Sequence, residues 1–176
     1  MIIIFQTDHI SVSPRNVISF DELQLFVRHL SRNREAGLIK IDDLSFDDDF
    51  SLDDNIYVSF HNPDIPSSEL KVYFPLLSQS LGNLMPLDYF FETQVSLDSP
   101  ISMRACLELS SLATSSKDQA LLNKFGKSKQ EYDNFLSLTG LKWIDLYKTF
   151  PSLSKQVTIN FLLCNCKMNH PRSYSM

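Results

Sequence analysis

The chain has 176 residues, of which 43% are hydrophobic and 21% charged, and its formal net charge is −5. This composition is typical of a soluble globular protein, and the negative charge argues against nucleic acid or an anionic membrane as the main partner. The four glycines are widely separated, which excludes a glycine-rich phosphate-binding loop. The apolar start at residues 2–5 is too short to form a membrane-spanning helix.

Two short patterns predict strands in the first third of the chain. Residues 39–41 alternate apolar and polar side chains, and residues 56–60 are rich in strand-forming types before the turn at Asn62. Between them, residues 42–54 contain seven aspartates and few apolar side chains, which indicates an exposed acidic loop. A calcium site there is disfavoured, because the glycine and the closing glutamate of a calcium-binding loop are missing.

After residue 65 the apolar spacing becomes helical. Four helix starts are indicated by capping residues, namely Ser67 or Ser68, the run Asp98-Ser99-Pro100, Ser116 with Gln119, and Ser128 with Glu131. A further helix is predicted over residues 141–150, ended by Pro151. A last helix is predicted over residues 159–166, and an extended strand is expected from Arg172 to the end of the chain.

The three cysteines are too few and too unevenly spaced for a disulfide framework. Reduced thiols in an intracellular, cytoplasmic protein are the simpler interpretation. Cys164, Cys166 and His170 lie within seven residues and could in principle bind zinc. A second pair of ligands with similar spacing is missing, so buried helical cysteines are favoured over a metal site.

Several short segments follow one another in an order that characterises one family. They read Arg-His-Leu-Ser at 28–31, Leu-Asp-Asp at 52–54, Ser-Lys-Gln-Glu-Tyr at 128–132, Phe-Pro-Ser-Leu at 150–153 and Arg-Ser-Tyr-Ser at 172–175. Over roughly residues 20–176 they resemble the FAD-binding and connecting region of the NADPH-dependent diflavin reductases. That family includes methionine synthase reductase, cytochrome P450 reductase and the sulfite reductase flavoprotein, and the methionine synthase reductase group looks somewhat closer.

The resemblance implies an α+β fold, in which part of an antiparallel FAD-binding β-barrel carries an all-helical connecting insert. The implied segments are a linker remnant at 1–18, barrel strands at 19–65, the helical connecting domain at 66–168 and the start of the flavin-binding strand at 169–176. Family members also bind FMN and NADPH in other domains, and they pass electrons from NADPH through FAD and FMN to a protein acceptor.

Three residues of the last segment are the candidate cofactor-binding residues. The resemblance implies that Arg172 binds the FAD pyrophosphate, Tyr174 packs on the flavin and its ribityl chain, and Ser175 lies near the flavin nitrogen that accepts hydride. A guanidinium can fork onto phosphate oxygens, and strand alternation places Arg172 and Tyr174 on the same side. The flavin itself would carry the redox chemistry, so no catalytic residue is expected.

The departures from the family pattern are as important as the matches. Leu52 and Asp53 stand where the family has proline and glycine, and the chain has no second phosphate-binding segment, NADPH-binding domain or FMN-binding domain. The expectation is therefore a truncated piece of a diflavin reductase that is inactive alone. The alternative is a non-catalytic helical interaction protein that has lost flavin binding.

Overall fold

The computed structural model describes residues 9–12, 18–32, 39–41, 49–58, 84–167, 169 and 172–175, and their side chains at 18–32, 49–54, 86–167 and 169. The helices in these ranges are α1 (Phe20–Arg28), α2 (Leu87–Thr93), α3 (Met103–Leu112), α4 (Ser116–Lys127), α5 (Lys129–Thr139), α6 (Leu146–Thr149) and α7 (Ile159–Asn165). Single 3₁₀ turns lie at Trp143–Asp145 and Pro151–Leu153. The strands are β1 (His9–Val12), β2 (Ile39–Ile41), β3 (Asn55–Val58), β4 (Leu84–Pro86) and β5 (Arg172–Ser175).

The prediction of a partial FAD-binding β-barrel is wrong. Strands β1 and β5 pair with each other as an antiparallel two-stranded ribbon, and β2, β3 and β4 form a separate antiparallel sheet in that order. Within the described residues no barrel is present, and the helices together with the 3₁₀ turns account for more than half of them. Part of the apolar sequence assigned to barrel strands instead forms a helix, as α1 demonstrates.

Helix α1 begins at a capping box that the predicted strand assignment overlooked. Glu22 N–H donates to Ser19 Oγ at 3.3 Å, and the Glu22 carboxylate accepts from Ser19 N–H at 3.4 Å. Leu23, Phe26 and Val27 then recur at helical spacing and are all buried. This three-and-four spacing forms one apolar stripe along the helix, whereas a strand would have divided the same residues between two faces.

The caps of the later helices follow the predictions only in part. Ser128 caps α5 as expected, since its hydroxyl accepts from Glu131 N–H at 3.4 Å. The predicted start of α3 at 98–100 is wrong, because Ser102 is the N-cap and accepts from Ala105 N–H. The predicted box at Ser116 is wrong as well, since the helix starts one residue after Ser115 without a side-chain cap.

The segment predicted as one helix over 141–150 is divided into a 3₁₀ turn and the short helix α6. Leu141, Tyr147 and Phe150 of this segment are nevertheless buried. Pro151 follows Phe150, where it ends α6 and opens the next 3₁₀ turn. Helix α7 confirms the last predicted helix, with Cys166 at its C-cap. The helix predicted to start at Ser67 or Ser68 lies outside the described residues.

One hydrophobic core joins α1 to the helices that follow. Its largest fully buried side chains are five aromatic residues: Trp143, Phe50, Phe90, Phe91 and Phe150. Phe50 and Leu52 are thus buried, so the expectation that the acidic stretch is exposed is wrong for residues 50 and 52. Asp49 and Asp53 are exposed as expected, Ser51 and Asp54 are partly buried, and residues 42–48 lie outside the described residues. The core extends across position 65, where the sequence pattern changes.

Arg32 fixes residues 49–54 against the helices. Its guanidinium donates to Asp54 Oδ2 at 3.0 Å and to the Asp49 carbonyl at 2.6 Å, and its Cζ lies 4.6 Å from the Phe50 ring centroid. Asp54 Oδ2 also accepts from Ser51 N–H at 2.8 Å. The ion pair is partly shielded, so the arginine and carboxylate satisfy each other where solvent is limited. The contact orients the turn that carries Phe50 into the core.

The close approach of α3 and α4 yields a stability prediction. A Cβ atom on Gly126 would lie 2.3 Å from Leu107 Cγ and 3.0 Å from the Leu107 backbone nitrogen. We expect Gly126→Ala to lower the free energy of unfolding by about 1–3 kcal/mol, because overpacking here must displace the helix. Urea unfolding measures it, with Ser137→Ala on the exposed face of α5 as the control. A neutral or stabilising Gly126→Ala would contradict this packing.

Candidate functional site

The candidate site is a cleft between α1 and the segment that contains α6. Its lining consists of Glu22, Leu25, Phe26, His29, Ile144, Tyr147 and Lys148. The cleft encloses about 80 Å³, whereas sites for small molecules and cofactors commonly enclose about 300–1,000 Å³. This volume suits one inserted side chain and is far too small for a dinucleotide.

Aromatic packing supports the floor of the cleft. The Phe26 ring lies 5.2 Å from the Tyr147 ring, centroid to centroid, and 6.1 Å from the Phe91 ring of α2. The His29 ring lies 5.0 Å from Tyr147 on the other side. Phe26, Phe91 and Tyr147 belong to the main core, so the floor is held in place by the same packing that stabilises the fold.

Apolar surface remains exposed at the lip of the cleft. Leu25 lies beside the apolar stripe of α1 and is 49% exposed, and Ile144 on the opposite side of the cleft is only partly buried. A single exposed leucine is ordinary for a soluble protein. Here it adjoins a preformed apolar cleft, and this combination is typical of a surface that takes up a side chain from a partner.

The rim of the cleft carries two carboxylates and one ammonium group. Lys148 Nζ lies 3.8 Å from Glu22 Oε1 and 3.5 Å from Asp145 Oδ1. Hydrogen bonds from Ser19 lower the pKa of the Glu22 carboxyl, and Lys148 lowers it further, so this carboxylate is ionised at neutral pH. One positive charge is therefore shared between two negative ones.

His29 and Ser154 form a contact that superficially resembles a catalytic dyad. His29 Nδ1 lies 2.8 Å from Ser154 Oγ. Acyl transfer would also require free N–H groups to stabilise an oxyanion. The amides of Ser154, Lys155 and Gln156 instead donate to the carbonyls of Pro151, His29 and Leu153, at 3.1, 2.8 and 3.0 Å. The pair is best explained as a structural tie between the end of α1 and residue 154.

The cysteines are free thiols. Cys106 and Cys166 are buried, and burial raises the pKa of both thiols, to about 12 for Cys106. Cys164 reaches the surface, although its thiol is partly covered. That partial burial, and to a smaller extent the Glu108 carboxylate, raises the pKa of the thiol. Such thiols are protonated at neutral pH and are poor nucleophiles. No cluster of three potential metal ligands occurs among the described residues, and His170 lies outside them.

The predicted flavin residues lie in β5, of which the structure describes only the backbone. Arg172 is paired in register with Val12 of β1, Tyr174 with Ile10, and Ser175 with His9. Their roles toward FAD therefore stay a prediction. The cleft itself was missed, although Ser19 with Glu22 forms a capping box that could have revealed α1 from the sequence.

The Trp143 and Tyr147 side chains are both buried in the core. Tyr147 also contributes one wall of the cleft. Burial raises the pKa of the Tyr147 hydroxyl, and the nearby Cys166 thiol raises it to a smaller extent. A group with this environment stays protonated at neutral pH, so it offers the cleft a neutral aromatic surface rather than an ionisable one.

Comparison with known proteins leaves the family open. No protein-family model matches the chain, and no curated protein matches it at a significant level. Among the described residues, no helix combines the length and apolar character required to cross a membrane.

The buried Cys106 thiol predicts a loss of stability at alkaline pH. The pKa of this thiol is raised from 9.0 in the unfolded chain to about 12 in the folded protein. The stability that the protonated, buried thiol contributes is therefore complete below pH 9 and is lost as the pH rises toward 12. Between pH 8 and 10.5 the unfolding free energy of the wild type should fall by about 2 kcal/mol more than that of Cys106→Ala. Urea unfolding at several pH values provides the test. The exposed Cys164→Ala variant should keep most of the wild-type slope, and identical slopes for all three proteins would contradict this prediction.

Proposed function

We propose that the protein is a non-catalytic helical interaction module and that the cleft between α1 and α6 is its recognition site. The observation that supports this most directly is the half-exposed Leu25 at the lip of an apolar cleft whose floor belongs to the core. Protein interfaces concentrate their binding energy where one apolar or aromatic side chain enters such a pocket.

Contacts within the protein already hold the walls of the cleft in place, which favours the cleft as a binding site. The rings of Phe26, His29 and Tyr147 fix one another at centroid distances of 5.0–5.2 Å. The His29 contact with Ser154 and the Lys155 N–H bond to the His29 carbonyl hold the same corner. A partner would therefore insert a side chain without first ordering the receptor, which reduces the entropic cost of binding.

The free cysteines and the negative charge of the chain favour another protein as the partner. All three cysteines are free and the formal net charge is −5. Free thiols are typical of a reducing compartment, and we propose that the protein resides in the cytoplasm. An acidic chain of this kind is poorly suited to bind nucleic acid or an anionic membrane surface, so neither is proposed as its partner.

The interaction function predicts peptide ligands that depend on the cleft. Selection from a random peptide display library should enrich sequences that bind the wild-type protein. Leu25→Ser should weaken them by about tenfold, because an apolar contact worth about 1–2 kcal/mol is lost.

Leu138→Ser is the matched control, since Leu138 is 85% exposed on α5 and does not line the cleft. Because Leu25 is already half exposed, the substitution should leave the circular dichroism spectrum unchanged. Failure to enrich any binder, or binders that tolerate Leu25→Ser, would refute the cleft as the recognition site.

FAD binding is the second candidate function. It is favoured by the Arg172-Ser173-Tyr174-Ser175 motif and by the occurrence of that motif on a strand paired with β1. This candidate depends on the local motif, because the barrel of the diflavin reductases is not found among the described residues. Electron transfer from NADPH through FAD and FMN to a protein acceptor also involves the other domains of the diflavin reductases, so the candidate function is FAD binding alone.

A titration with FAD tests this candidate. Saturable quenching of flavin emission, with a change in Trp143 fluorescence, would indicate binding. Arg172→Ala should then weaken binding by about tenfold or more, because a charge-assisted hydrogen bond worth about 1.5–3 kcal/mol is removed. Arg104→Ala is the matched control, since Arg104 is an exposed arginine that pairs with Glu108 on α3. Absence of binding by the folded chain would eliminate FAD as a ligand.

A further inference from the structure

We propose that the cleft takes a basic segment of a partner protein, in which one apolar side chain is flanked by lysine or arginine. This inference rests on the interaction function proposed above and specifies its partner chemistry. It follows from the charges that surround the apolar cleft and from the small volume that the cleft encloses.

The volume of the cleft limits what the partner inserts. About 80 Å³ lies between α1 and α6, bordered by Leu25 and Ile144. A space of this size takes one aliphatic side chain, so the remainder of a partner segment must lie across the rim. The charges of the rim therefore select the residues that flank the inserted side chain.

Negative charge predominates at the rim. Glu22 and Asp145 share the single ammonium group of Lys148, at 3.8 and 3.5 Å. Asp21 is exposed in the first turn of α1, next to Glu22 in the sequence, and does not itself line the cleft. Arg28 lies on the same helix, but its positive charge is partly offset by Asp49, whose pKa it helps to lower. The Asp49 carboxylate also pairs with Lys155 at 2.6 Å. The rim thus complements cationic rather than anionic residues.

A basic partner would pair with carboxylates that Lys148 satisfies only in part. An anionic partner would meet the same carboxylates as like charges, and its association would be slower and weaker. Individual exposed ion pairs contribute little, so removing one rim carboxylate should weaken binding by about threefold. Removing the apolar contact at Leu25 should have the larger effect.

Two labelled peptides test the proposal. Both are amphipathic helices of about 18 residues, or five helical turns, with leucines at the same positions. One carries lysine at every polar position and the other carries glutamate. Fluorescence anisotropy measures their binding to the full chain at about 0.1 M salt, where exposed charges still interact over about 10 Å.

Two pairs of variants separate the apolar and the ionic contributions. Leu25→Ser is compared with Leu138→Ser, and Glu22→Gln is compared with Asp133→Asn on the exposed face of α5. Glutamine at position 22 can still complete the capping box with Ser19, so helix α1 should be retained. Circular dichroism confirms that each variant is folded.

The expected result is that the lysine peptide binds more tightly than the glutamate peptide. Leu25→Ser should weaken the lysine peptide by about tenfold and Glu22→Gln by about threefold, while both controls leave it unchanged. Equal binding of both peptides, with loss in Leu25→Ser, would overturn the basic chemistry but leave the interaction function standing.

Three other outcomes also refute the inference. Equal weakening by Asp133→Asn and Glu22→Gln, or full binding by Leu25→Ser, would mean that the lysine peptide follows the overall negative charge rather than the cleft. Binding of neither peptide would overturn the proposed partner chemistry. The interaction function would then be decided separately by the display selection, which makes no assumption about charge.

Discussion

The packing of Phe26 against Tyr147 is the contact on which both the core and the cleft depend. It joins α1 to α6, which lie about 120 residues apart in the sequence, at a ring distance of 5.2 Å. Phe26 also meets Phe91 of α2, so one side chain connects three helices. Aromatic rings bury large apolar areas, and the loss of this ring would leave a cavity that close-packed neighbours fill only in part. The same ring also lines the cleft, so the shape of the cleft depends on the packing that stabilises the fold.

Polar contacts determine how the loops approach this core. Ser31 N–H bonds to the Val157 carbonyl at 2.8 Å, and Lys155 N–H bonds to the His29 carbonyl at the same distance. Lys155 adopts a positive φ of 63°, a conformation that non-glycine residues rarely adopt. Its backbone bond to His29 and its side-chain pair with Asp49 hold it there. These contacts bring the end of α1 beside residue 154 and thereby complete the corner at which the cleft lies.

The polar and ionisable side chains near the cleft mainly make structural contacts. His29 and Ser154 are close enough to exchange a proton, but the amides beside Ser154 are already used by backbone carbonyls. The buried thiols have raised pKa values, and burial also raises the pKa of the Tyr147 hydroxyl. Groups in such surroundings stay neutral and contribute packing. What remains is a small, largely apolar cleft with charged side chains at its edge.

The sequence alone determined the helices at 116–127, 129–139 and 159–165, because apolar spacing and the Ser128 cap are local signals. It also contained the capping box of α1, but the family resemblance led to the prediction of barrel strands over residues 19–65. Only the tertiary structure placed Phe26 against Tyr147, buried Phe50 within an acidic stretch and left Leu25 exposed at a cleft. Those outcomes depend on contacts between distant segments, and local periodicity carries no information about which buried stripe meets which. The fold was therefore partly predictable from sequence, and the site was not.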